Sequence, residues 1–290
     1  MPYLLALGAA FFAACGAALQ HREVAEVTES ESGGLKLLWA SFKRPGWWLG
    51  MAVLIIAPAF QFFALKVGNL SQVQPILTTE LLFLLGIIIV THHERPGRRE
   101  WLASAGIVIG LVTFLVAAHP HGGVKTASSA WALGLSLATA LVVGAFWLAA
   151  SFTTGWAKAA LLGSAAASCF AYQAAMTSIV AGVAAGSILT SPALIGLAVA
   201  GSLGFVLFQH ALRAGHVAAS RAAMVIVDPL LSVLIGVVVF SEVLAHGAGR
   251  VVFEIVGIVI LVIAARSLAL SPMISEDDPR VEEDAQAITP

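Results

Sequence analysis

Two acidic residues stand where an apolar helix tolerates them least. Glu80 lies near the centre of the run at 70–91. Asp228, followed at once by Pro229, lies near the centre of the run at 217–240. A charge at the middle of a membrane costs about 2.5–3.5 kcal/mol on insertion scales, so such residues usually face an interior cavity and mark a pathway. Burial favours the neutral carboxyl and a nearby cation the ionised one, so a midplane acid can exchange a proton for a cationic ligand. Two carboxylates also suit a hard divalent ion such as magnesium, which keeps several waters and takes only one or two of them. Glu80 and Asp228 are therefore candidate proton or substrate ligands, and candidate metal ligands. The plainer alternative is a protonated acid bonded to a neighbouring helix. Two acids at matching depth favour the pathway.

Other polar groups share these runs. Pro229 removes a backbone donor and leaves the carbonyl of Val225 unpaired. Pro75 does the same for Ser71, and Pro58 for Leu54. Backbone freed at that depth persists only where protein or cavity water satisfies it, so all three prolines are candidate helix-opening residues. Gln61, Gln74, Tyr172, Gln173 and Gln209 are candidate substrate or ion ligands; the competing role for each is hydrogen-bonded glue between helices. Arg221 precedes Asp228 by two turns on one helix face and reads as an anchor of the cytoplasmic end. Glu254, four residues after Arg250, predicts an interfacial ion pair. His119, His121 and His246 fall in loops without metal-ligand spacing. Cys15 and Cys169 form neither a disulfide framework nor a metal site. The chain carries no G-x-S-x-G, H-E-x-x-H or P-loop motif, so neither an enzyme nor a bound cofactor is expected.

The elements that hold these residues must be membrane helices. Of the 290 residues 59% are hydrophobic and only 11% charged, and the mean hydropathy is +0.95. A soluble domain has about 25% charged residues. The net charge of −1 gives no case for nucleic acid. The beginning lacks the basic n-region of a signal peptide, so cleavage is not expected. Nine runs reach spanning length, at roughly 2–20, 47–66, 70–91, 100–118, 128–150, 156–181, 190–210, 217–240 and 250–270. The stretch "GGLKLLWASFKRPGWW" between the first two reads as a short interfacial helix. The acidic stretch 271–290 reads as a disordered tail. With the N-terminus outside, twelve Lys and Arg fall on the cytoplasmic side and only Lys66, Lys125 and Arg250 outside. That bias predicts N-out, C-in.

The halves resemble each other. "GIVIGLV" at 106–112 matches "GIVILVI" at 257–263, and "ALKVGNLS" at 64–71 resembles "ALRAGHVA" at 211–218. At one fixed offset Gln61 falls on Gln209, Glu80 on Asp228 and Glu94 on Glu242. Spans 1–4 thus repeat as spans 6–9 around span 5. Equivalent spans are five apart, so the second copy is inverted, a transporter plan with the site at the midplane between halves. The expected fold is all-α and membrane-embedded, with a 4+1+4 inverted repeat. Residues 1–120 form the first half, and 121–270 the linking span and second half.

The inverted repeat, the stretch "ALRAGHVAASRAAMVIVDPLLSVLIGVVVFSE" and the glycine-centred last span resemble the drug/metabolite transporter (EamA-like) superfamily. The first half is similar to its NIPA-like magnesium-transporter branch: a first span ending in Gln20, His21 and Arg22, then "WWLG" and Pro75. This resemblance implies a secondary transporter of a small metabolite or drug, coupled through midplane carboxylates by alternating access. The branch implies magnesium instead. A non-transporting membrane subunit or lipid-handling protein is the alternative of another class. The expected surroundings are the plasma membrane and its lipid, with a small-molecule or cationic substrate, no nucleic acid, a cytoplasmic tail and a homodimer left open.

Overall fold

The computed structural model describes residues 1–28, 45–92, 95–125, 129–214, 217–245 and 247–271. Ten α-helices carry nearly all of it: α1 (Pro2–Thr28), α2 (Pro45–Val67), α3 (Leu70–Leu77), α4 (Glu80–His92), α5 (Arg98–Ala118), α6 (Ser129–Ser151), α7 (Gly155–Gly182), α8 (Pro192–Arg213), α9 (Val217–Val239) and α10 (Ala248–Ala269). Among the described residues seven spans are long and apolar enough to cross a membrane, α3 and α4 together making one at Leu70–Thr91. The protein is a multi-pass, helical membrane protein. The first two expected spans fall on α1 and α2, whose apolar stretches, Pro2–Ala18 and Ile55–Val67, are shorter. α1 also continues to Thr28, through residues expected to begin a polar loop. Most of the expected interfacial helix (33–44 of 33–48) and the tail from 272 on lie outside the described residues, as do Glu94 and His246.

Exposure along the spans separates a pillar from a rim. In α7 78% of the apolar window is buried, against 11% in α6. The pillar is alanine-rich, and Ala165, Ala166, Ala167, Ala171, Ala174 and Ala175 are all buried. Small side chains let helix backbones approach closely, which is how helices associate where lipid removes the hydrophobic drive. At Gly163 a Cβ would stand 2.6 Å from the backbone oxygen of Ser220 on α9. α8 and α9 flank this pillar, and α6 packs against it alone on its outer side.

α1, α2, α3 and α4 gather in a second group around α1. Between the groups α2 touches α7, and two antiparallel crossings add to that contact. α5 packs along the whole of α10, their closest pairing. There a Cβ on Gly110 would stand 2.5 Å from the nitrogen of Leu261, and one on Gly257 2.6 Å from that of Phe114. The second crossing sets α3 against α9, with Ser71 beside Gly236.

Two features go beyond the expected all-α plan. A two-residue antiparallel pair, β1 (His121–Gly122) with β2 (Glu242–Val243), ties the loop after α5 to the loop after α9. The span 70–91 is also interrupted. α3 ends at Leu77, and Thr78 and Thr79 form a turn before Glu80 opens α4. Across that turn the bonds tighten: Thr79 N–H donates to the Ile76 carbonyl at 2.9 Å and Leu82 N–H to the Thr79 carbonyl at 2.9 Å. The i→i+3 spacing of a 3₁₀ turn replaces the α pattern.

Candidate functional site at the broken helix

Glu80 is the first residue of α4, so the break sets a carboxyl at a helix N-terminus inside a membrane span. A helix N-terminus favours negative charge. Across the α3–α9 crossing the numbers fall on one side as they rise on the other. Ser71 lies beside Gly236, and Pro75 shares a small apolar crevice with Pro229, Leu230 and Val233. Beyond the break, the Glu80 and Asp228 carboxyl groups are close enough to act on each other electrostatically. Both are half-buried. Ser232, one turn further along α9 and fully buried, donates its hydroxyl to Asp228 Oδ1 at 3.3 Å.

A third charge belongs to this place. The Arg221 guanidinium acts on Glu80, whereas its spacing alone makes it an anchor at the helix end. The signal was present in the two-turn spacing to Asp228. The reach of a long side chain across to another helix was not.

The other candidates divide. Gln74 on α3 is 3% exposed, and its amide nitrogen has no hydrogen-bond partner. A buried donor left unmade is costly, which makes such groups candidates for a ligand or water. Tyr172 and Gln173 point elsewhere in the bundle. The Tyr172 hydroxyl pairs with Ser136 on α6 at 2.8 Å and lies 3.0 Å from where a Cβ on Gly196 would be. The Gln173 amide packs on Gly201 of α8. Both sit at seams around the pillar. Gln61 and Gln209 are half-buried on α2 and α8, helices of different groups.

The prolines also divide. All three lie inside helices. α9 runs through Pro229 without interruption, while the span that breaks is the one holding Pro75. The expected Arg250–Glu254 ion pair does not form: Glu254 is buried with one carboxylate oxygen unpartnered, and Arg250 is exposed.

A second polar cluster closes the end of the bundle where the chain begins. The Glu242 carboxylate accepts the Leu70 N–H at 2.7 Å, the Ser71 N–H at 2.9 Å and the Ser71 hydroxyl. These are the unpaired donors that open α3. Lys125 donates to the Leu65 carbonyl at 2.8 Å and to that of Gly68, at the end of α2. Burial holds the Lys125 ammonium below the ordinary lysine range, and the Glu242 charge opposes that shift. In the sequence Glu242 stands out only as a repeat partner of Glu94.

No family model matches the chain, and no solved structure matches it. An uncharacterized protein of Corynebacterium glutamicum is 28% identical over 284 residues, covering 92% of this chain and 93% of that one.

Proposed function

We propose that the protein is a secondary transporter of a small organic solute, coupled by alternating access through the Glu80–Asp228 pair. The observation that carries this reading is the meeting of the two acids, from different helix groups, at the break between α3 and α4. Interrupted helices at midplane depth are where transporters form their sites, and free backbone there is tolerated only beside protein or a cavity.

The registers of the two crossings support an inverted repeat. Glu80 lies opposite Asp228 and Gly110 lies against Leu261. Each pair matches residues that the two halves align with one another. Equivalent residues meet face to face when a two-fold axis in the membrane plane relates the halves. α6, the expected linking span, lies on the rim, where a helix outside the repeat belongs. On this reading α1 and α2 complete nine spans with the N-terminus outside, in the manner of the drug/metabolite transporter superfamily.

Arg221 narrows the substrate. With its charge on Glu80, the pair presents one net negative charge when both carboxyls are ionised. One such charge suits a proton exchanging with a singly charged organic cation. A hydrated divalent ion would meet a fixed positive charge beside its ligands, which weighs against magnesium. Gln74 adds a buried amide donor on α3, before the break, suited to a substrate carrying a hydrogen-bond acceptor.

Purified protein in liposomes tests this reading directly. A panel of small organic cations and magnesium are each offered under an imposed pH gradient. Gradient-driven uptake of a panel member, without magnesium flux, is the expected result. Magnesium flux that grows when Arg221 is replaced by Gln would establish the cation-carrier reading instead. No flux of either kind would favour a non-transporting subunit.

A further inference from the structure

Glu242 occupies a place that a membrane protein rarely spends on an acid. It is 5% exposed, sits in the short loop after α9, and reaches into the other helix group to satisfy the first backbone donors of α3. The surroundings are shaped for it. A Cβ on Gly236 would stand 2.5 Å from its Oε2, and one on Gly123, whose φ is +84°, 2.9 Å from its Cγ. Around it lie further ties of the same kind. Val124 N–H donates to the Phe240 carbonyl at 2.8 Å, Ala245 N–H to the Ala118 carbonyl at 2.7 Å, and the Gln72 amide to the Pro120 carbonyl.

The helix held in this way is unusual. α3 is eight residues long, fastened at its first turn by Glu242 and ended at Thr78–Thr79, directly before Glu80. The two threonine hydroxyls fold back onto the Pro75 and Ile76 carbonyls at 2.6 and 2.7 Å, which leaves the turn locally satisfied whichever way α3 points. A rigid segment, a latch at one end and a self-contained turn at the other are the parts of a hinged gate.

We propose that α3 is the gate at this end of the bundle, latched by Glu242 and hinged at Thr78–Thr79. Release of the carboxylate from the Leu70 and Ser71 donors frees α3 to swing away from α9. That opens a path down the Pro75–Pro229 crevice toward Glu80 and Asp228. Lys125 lies within electrostatic reach of Glu242 and bonds to the end of α2, so the latch holds that end as well, and Val67 moves with the first turn of α3 when the latch opens. The inference rests on the transporter reading for its purpose, but its geometry stands apart from any substrate.

The test is a distance. Spin labels at Val67 and Val243, both exposed at this end and on opposite sides of the latch, are placed in protein with Cys15 and Cys169 replaced by alanine. The labelled background gives one main separation. Glu242→Gln adds a longer separation, with the open-to-closed ratio raised about tenfold, as expected for loss of charge-assisted hydrogen bonds. Ser71→Ala, which removes one of the three bonds and little else, gives a smaller rise in the same direction. An unchanged distribution in folded Glu242→Gln overturns the gate. Where Glu242→Gln does not yield folded protein, an unchanged distribution in Ser71→Ala overturns it. Flux plays no part in this readout, so a protein that moves no solute can still keep or lose its latch.

Discussion

A carboxyl in the middle of a membrane is defined by what stands beside it. Glu80 begins a helix, feels the Arg221 charge and faces a second acid. Asp228 lies in an unbroken helix and accepts a bond from Ser232. The two are therefore unequal despite their matching depth. Glu80 has the cationic partner and the helix N-terminus, whereas Asp228 has the serine hydroxyl. Replacing Arg221 with Gln should remove that inequality and lower gradient-driven flux by about tenfold, a coupling effect of ordinary size. Flux measured at saturating substrate in liposomes checks it. The acids themselves were legible in the sequence, because an Asp or Glu inside an apolar run is conspicuous on its own. Arg221 and Glu242 were not. Each acts across to another helix, and spacing along one helix carries no information about a neighbour.

At the scale of elements, small residues decide where helices touch. Gly110 and Gly257 lie at backbone-to-backbone contact between α5 and α10, whereas Gly144 on the rim helix α6 has nothing within 4 Å of its missing Cβ. Gly110→Ala should lower stability by about 1–3 kcal/mol through overpacking. Gly144→Ala should be neutral or raise it by about 0.5–1 kcal/mol, the usual gain of alanine over glycine in a helix. Thermal unfolding in detergent separates the two. Gly236→Ala makes a related prediction: its new methyl would displace the Glu242 carboxylate and reproduce the longer spin-label separation of Glu242→Gln. Span positions followed well from apolar run lengths, and α5 to α10 begin and end near their expected limits. The break in the span 70–91 did not follow. Pro75 and Pro229 look alike in sequence, yet only the span of Pro75 is interrupted. Its neighbours include two threonines whose hydroxyls return to the backbone at the break, a local competition that a proline alone does not announce.

At the scale of the molecule, two helix groups meet along two antiparallel crossings, and one end is fastened by the latch and the small sheet. The same end carries Lys66, Lys125 and Arg250, and the opposite end Arg95, Arg98, Arg99, Lys158, Arg213 and Arg266. The positive-inside rule predicts that the latched end is external. An impermeant thiol reagent added to intact cells should therefore label a cysteine placed at the exposed Val124 and spare one placed at Arg98. The charge asymmetry was readable from span order alone, whereas the fastening of the end required the fold, because its partners lie more than a hundred residues apart. In the proposed transporter the Glu80–Asp228 pair carries the coupling ion. The most direct test compares gradient-driven accumulation with solute exchange in liposomes for the native protein, Glu80→Gln and Asp228→Asn. The amides should lose accumulation and retain exchange. Accumulation that survives undiminished in both amides would contradict it.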